Sequence, residues 1–316
     1  MENFLFSLNA SMPVFLVIVL GWMLMQMELF NKEFLAVADK YVFKVALPVL
    51  LFRDISTTNL REGLDWSFVF FCMGATTVMF LGVWLFASLL MKDKSLVGAF
   101  TQASVRGSAA ILGIAFVENI YGDSGMAPLM IVSAVPLFNI YSVIILTCCS
   151  QSGTGMSRAQ TIRKACINVL KNPIIIGIVL GIPFSVFGIT LPTILSKTVS
   201  NIAATATPIA LLVVGANFEG RKAISKIKPT IIATLLKLMI VPAVFFPLAV
   251  MMGFRESQLV AILVMLGSPT TVTCYIMAKN MGNDAELSSS IVVMSTLLSS
   301  VTLTFWIFLL RTLSLI

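Results

Sequence analysis

Apolar runs of near-membrane length follow one another along all 316 residues of this chain. About 20 apolar residues in a row are enough to cross a bilayer as a helix. The helices of a large soluble core would need polar faces, and these segments have few. Hydrophobic residues make up 58% and charged residues 11%, against about 25% charged in a soluble domain. The chain therefore reads as an all-α polytopic membrane protein. The first run, Phe4 to Met27, is longer than a signal-peptide core. It lacks a basic leader and a small-residue cleavage site, so it is expected to be a retained helix.

Ten spans are expected, at about 5–27, 34–56, 67–91, 96–119, 126–150, 173–188, 191–216, 229–252, 257–280 and 287–312, with ends uncertain by a few residues. The longest connector, 151–172, contains "SQSGTGMSRAQ" and separates a first half, 1–150, from a second, 173–316. Orientation follows from Lys and Arg in the loops. One set of alternate loops carries twelve of them, including Lys92, Lys94, Arg158, Lys171, Arg221, Lys226 and Lys279. The other set carries four, Arg53, Arg61, Arg255 and Arg311. The richer set should be cytoplasmic and both termini outside, in a plasma (inner) membrane.

"PVFLVIVLG" at Pro13–Gly21 returns as "PIIIGIVLG" at Pro173–Gly181, 160 positions later. The same offset relates Pro48 to Pro208, Gly107-Ser108 to Gly267-Ser268, and Gly122 to Gly282. A fixed offset of this kind points to an internal repeat. Each copy holds an odd number of spans, so the second enters the membrane inverted relative to the first. Inverted repeats are an architecture of secondary transporters, which bind substrate near mid-membrane where the halves meet.

The fourth and ninth spans fit continuous helices least well. The fourth places Arg106, Gly107 and Ser108 in its first half, with Gly113 further on. The ninth has Gly267, Ser268 and Pro269 near its centre, followed by Thr270 and Thr271. Glycine weakens a helix and proline removes a backbone donor. Broken backbone at membrane depth must face protein or water. Two breaks at equivalent places point to a transport site lined by Ser108, Ser268, Thr270 and Thr271, with Pro48 and Pro208 as further candidates. Simple packing kinks are the alternative, since small residues also let helices approach closely.

Charges within spans are costly and usually functional or paired. Lys44 lies mid-way along the second span, Arg106 in the fourth, and Lys237 in the apolar stretch "IIATLLKLMIVP" of the eighth. Lys237 could hold freed carbonyls in place of a cation, meet a substrate carboxylate, or snorkel toward Lys226 and Lys228. Lys40 and Lys197 are expected to snorkel. The deep charges are predominantly positive, which favours an anionic substrate.

Five cysteines lie scattered, without a CxxC pair, and read as packing residues. There is no histidine, so any proton relay must use carboxylates, lysine or water. No metal-ligand spacing, P-loop, catalytic triad or paired catalytic carboxylate appears, which argues against an enzyme and against a cofactor. The net charge of +7 sits in short loops and implies no nucleic acid.

"DKYVFKVALPVLLFRDIS", "ILGIAFVENIYG", "GSPTTVTCYIMAKNMG" and "SSSIVVMSTLLSSVTL" resemble the second, fourth, ninth and tenth helices of the auxin efflux carrier family, which includes malate and malonate permease-like proteins. The likeness covers nearly the whole chain and specifies the family better than the substrate. It implies ten transmembrane helices as two inverted five-helix repeats, like bile-acid and sodium/proton carriers. Helices 1, 2, 6 and 7 would form a scaffold that dimerises. Helices 3–5 and 8–10 would form a transport domain in which discontinuous helices 4 and 9 cross. Substrate would bind beside the crossing and move by an elevator-like shift. The family often has Asn at Ser108 and Pro at Ala115, so the break in helix 4 would here rest on glycines.

The leading expectation is a carrier of small organic anions, either a dicarboxylate or an auxin-like carboxylate. A cation-coupled carrier of a larger amphipathic acid is a second reading, with H+ or Na+ as coupling ion. A non-transporting membrane sensor on the same fold is a third, and would be expected to add a soluble domain.

Overall fold

The computed structural model describes residues 2–57, 65–109, 116–118, 120–150, 167, 170–218 and 224–316, with side chains from residue 12 onward. Among these residues the fold is helical, with one isolated β-bridge. In chain order the helices are α1 (Glu2–Gln26), α2 (Lys32–Tyr41), α3 (Leu47–Ser56), α4 (Trp66–Leu90), α5 (Val97–Val105), α6 (Ala127–Cys149) and α7 (Pro173–Phe187). They continue as α8 (Thr193–Ala204), α9 (Ala206–Ala216), α10 (Ile227–Leu235), α11 (Val241–Met251), α12 (Glu256–Gly267), α13 (Thr273–Asn280) and α14 (Ala285–Thr312).

Local chemistry sets the ends. Asp65 opens α4 by accepting the Phe68 N–H at 3.1 Å, and Asp284 opens α14 through Leu287 N–H at 2.7 Å. Asn172 caps α7 through Ile174 N–H at 2.9 Å, with Pro173 at the first helical position. Gly188 stops α7 in the left-handed conformation at φ 66°.

Two rods are continuous but widened. A π turn, Val42–Ala46, joins α2 to α3 just before Pro48, and another, Leu236–Ile240, joins α10 to α11 just before Pro242. Each proline lacks an N–H and crowds the carbonyl four residues back. The carbonyl so released before Pro242 is that of Leu238, which accepts the Trp306 indole N–H at 2.9 Å.

Close approach depends on glycine. A β-carbon on Gly21 would lie 2.8 Å from Leu212 Cα, and one on Gly181 would lie 3.1 Å from the Phe52 oxygen. Gly177 rests against the Pro48 carbonyl and Gly215 against Ile18. These contacts seat α1 on α9 and α7 on α3 at small-residue seams, as membrane helices commonly pack.

Five helical stretches are long and apolar enough to cross a membrane, Trp66–Leu90, Ala127–Cys149, Thr193–Ala216, Ile227–Met251 and Ala285–Thr312. Their outward faces are apolar. Phe70, Val78, Leu85 and Leu89 are exposed along α4, as are Val301, Phe305 and Phe308 along α14. Water would penalise such faces and lipid does not. The chain is a multi-pass membrane protein.

Candidate functional site at the crossing of two broken segments

Helix α5 ends at Val105, and Arg106 turns extended at φ −81°, ψ 108° before Gly107. Helix α12 ends at Gly267, and Ser268 turns extended at φ −68°, ψ 156°. A residue before proline is pushed out of the helical region, so Pro269 forces the second break. The two extended pieces meet as an antiparallel bridge between Gly107 and Thr270. Ser108 N–H donates to Pro269 O at 2.9 Å, and Thr271 N–H to Arg106 O at 3.4 Å. Thr270 pins the junction, donating its hydroxyl to Ala103 O at 2.7 Å and its N–H to Ser295 Oγ at 3.0 Å.

Both half-helices aim their carbonyl ends at Lys237. Its Nζ donates to Val105 O at 2.9 Å, Leu266 O at 2.8 Å and Met265 O at 3.3 Å, and the residue is 0% exposed. The ammonium therefore sits where two helix dipoles present partial negative charge. This excludes snorkelling toward the loop of Lys226. A β-carbon on Gly107 would crowd Ser268 Oγ and lie 2.8 Å from Lys237 Nζ, so a side chain here would have to displace the ammonium from its carbonyls.

Beside the junction lies a cavity of about 390 Å³. Arg106, Gly107, Ser108, Thr271, Thr273 and Asn139 line one side. Leu47, Leu50, Leu51, Arg53, Asp54 and Thr57 of the second segment, with Ile174 and Thr207, line the other. Arg53 is paired with Asp54 at 2.7 Å. Arg106 is 5% exposed and donates from Nη2 to Asn139 Oδ1 at 2.8 Å and from Nη1 to Met277 sulfur at 2.7 Å. No carboxylate pairs with it among the described residues. A buried cation with neutral partners in a cavity wall is a ready anion-binding group.

The expected site residues divide accordingly. Arg106, Gly107, Ser108 and Thr271 line the cavity. Ser268, Pro269 and Thr270 are buried in the junction, off the cavity wall. Pro48 packs against Gly177, and Pro208 is exposed. Lys44 is exposed on its π turn and does not join Lys237 at the crossing. Gly113 lies outside the described residues. Sequence reasoning missed Asn139 and Met277, which hold Arg106, and Asp39, whose buried carboxylate pairs with Lys279. The signal for Asn139 was a lone amide in an apolar run, "VPLFNIYS".

A multi-pass helical bundle that breaks two segments around a buried, cation-bearing cavity has the makings of a transport protein, and sequence relatives agree. The chain belongs to the family described as "Membrane transport protein", matched over residues 6–307, the family of the auxin efflux carriers. It is 22% identical over 305 residues to an "Uncharacterized transporter" of Methanothermobacter thermautotrophicus, covering 96% of this chain and 98% of that one. It is likewise 22% identical over 305 residues to a Rhizobium meliloti protein named "Putative malonate transporter", covering 95% and 94%. A mouse "Lysosomal cholesterol signaling protein" matches at 23% over 218 residues, 64% of this chain and 25% of that one. The protein is a membrane transporter and not an enzyme.

Proposed function

We propose that this transporter is a secondary carrier of small organic anions across the plasma membrane, working by an elevator-like movement. The observation that carries the reading is Arg106, buried in the cavity wall with only neutral partners among the described residues. The cavity lies between the crossing on one side and α3 with α7 and α9 on the other. That position suits a scaffold of the first, second, sixth and seventh segments against a moving domain built from the rest. A homodimer through the scaffold and termini on the outside belong to the same reading.

Ten spans in two inverted repeats are part of the proposal. Gly21 packs on Leu212 while Gly181 packs on Phe52, and the offset of 160 exchanges these two contacts. The same offset relates the π turn Val42–Ala46 to the interruption at Thr205, and Gly107 to Gly267.

Lys237 already fills the carbonyl ends at the crossing. This supports a carrier that needs no metal cation there, and it weighs against Na+ coupling at the crossing.

The experiment is uptake by purified protein in liposomes over a panel of carboxylates that includes malonate. Wild type should accumulate at least one of them equally well when sodium is replaced by choline. Arg106→Gln should lose that uptake while remaining folded. Full uptake by Arg106→Gln would refute the anion-site reading. Single cysteines at Lys94 and Gly122 should label from opposite sides of the membrane, and labelling from one side would refute the topology.

A further inference from the structure

We propose that Asn139 is a positioning residue that aims the Arg106 guanidinium into the cavity and, being neutral, leaves its charge open to a substrate carboxylate. The inference rests on the anion-carrier reading for its consequence, and on geometry alone for its cause.

Asn139 sits on α6 and is 0% exposed. Its Nδ2 donates to Val135 O, one turn earlier, at 2.8 Å. That bond fixes the amide plane, so only the oxygen faces Arg106, and it accepts from Nη2 at 2.8 Å. The guanidinium is a planar fork with five donors. Met277 sulfur takes a second donor at 2.7 Å. Sulfur is a weak acceptor, so the two partners orient the fork without neutralising it. The carboxylate on the cavity wall, Asp54, already pairs with Arg53. Among the described residues, the open positive charge of the cavity is thus Arg106, and Asn139 keeps it so.

Asparagine and aspartate have nearly the same shape, so charge separates them. With Asn139→Asp, the new carboxylate could accept from Arg106 in the same place, but it would cancel the charge that the substrate needs. It could not donate to Val135 O, but charge-assisted bonds to the guanidinium, about twice as strong as neutral ones, offset that loss. Truncation at Asn139 does the reverse: it keeps the charge and frees the fork to drift.

The test uses the full chain, with two readouts. The first is the melting temperature in detergent of wild type, Asn139→Asp and Asn139→Ala, which needs no substrate. Asn139→Asp should melt higher than Asn139→Ala and no lower than wild type, because the buried guanidinium gains a counter-ion. A melting temperature for Asn139→Asp at or below that of Asn139→Ala would overturn the proposal. The second is radiolabelled malonate uptake in liposomes. Asn139→Ala should raise the KM about tenfold, the scale of one hydrogen bond to a charged group, with the maximal rate kept. Asn139→Asp should lose uptake, and wild-type kinetics in that variant would equally overturn it. If the melting order holds while wild type carries no carboxylate, the positioning role stands and the anion-carrier reading fails.

Discussion

Lys279, on α13, forms an ion pair with Asp39, on α2, across 240 positions of sequence. Asp39 is 3% exposed. Lys279 also donates to Tyr275 Oη at 3.1 Å and to Asn217 Oδ1 at 3.3 Å. One ammonium thus ties the end of α13 to α2 and to the residue that follows α9.

Removing the lysine strands a buried carboxylate. Lys279→Met should cost about 1–3 kcal/mol, the penalty of an unpaired buried polar group. Thermal unfolding in detergent measures it. Asp39→Asn combined with Lys279→Met should recover most of the loss, because the stranded charge goes too. A double variant no better than the single one would contradict this account.

The same pair tests the elevator. If the broken segments slide against the second and seventh, Asp39 and Lys279 must part in every cycle. Cysteines at both positions, in a cysteine-free background, should be bridged by a reducible bifunctional thiol reagent that spans the length of the ion pair, and the bridge should stop uptake until a reductant cleaves it. Uptake at full rate in the cross-linked protein would exclude the sliding movement.

Lys237→Met keeps length and removes the donor. Three buried carbonyls then lose their partner, at about 1–3 kcal/mol for each acceptor left unpaired. Melting temperature and uptake should both fall. Gly107→Ala should fail similarly, since its β-carbon would meet Lys237 Nζ. Unchanged melting in Lys237→Met would mean that the ammonium does not hold the crossing.

Ser108 and Thr271 line the cavity and are half-buried. Leucine at either should fill the space beside Arg106 and abolish uptake, leaving folded protein in the membrane. Size-exclusion profiles together with uptake decide it. Normal uptake by both variants would move the site elsewhere.

Asp65 supplies a pH signature outside the membrane segments. The Ser67 hydroxyl at 2.6 Å, with the Phe68 N–H and Gln258, outweighs partial desolvation and holds its carboxyl below the usual value of 3.8. A depressed carboxylate stabilises the fold above its unfolded value and loses that contribution as pH falls through the folded one. The gap in melting temperature between wild type and Asp65→Asn should therefore be constant near neutrality. It should close below about pH 4, where the unfolded carboxyl also protonates. A gap that widens on acidification would reverse the sign and refute the assignment.

The sequence by itself determined a helical membrane protein and the two breaks at its centre. Apolar runs of bilayer length allow no soluble core. Ser268 must leave the helix because proline follows it, and Gly107 leaves no side chain at the crossing. Tertiary structure alone decided what each polar group meets. Lys44 and Lys237 look alike in sequence, each in an apolar run four or five residues before a proline. One is exposed, and the other is sealed against three carbonyls. A helix turns about 100° per residue, and the extra residue in a π turn shifts every face beyond it. The partner of a face is set by packing across the bundle. Arg106 lies 33 positions from Asn139 and 171 from Met277, and no periodicity within one helix reaches that far.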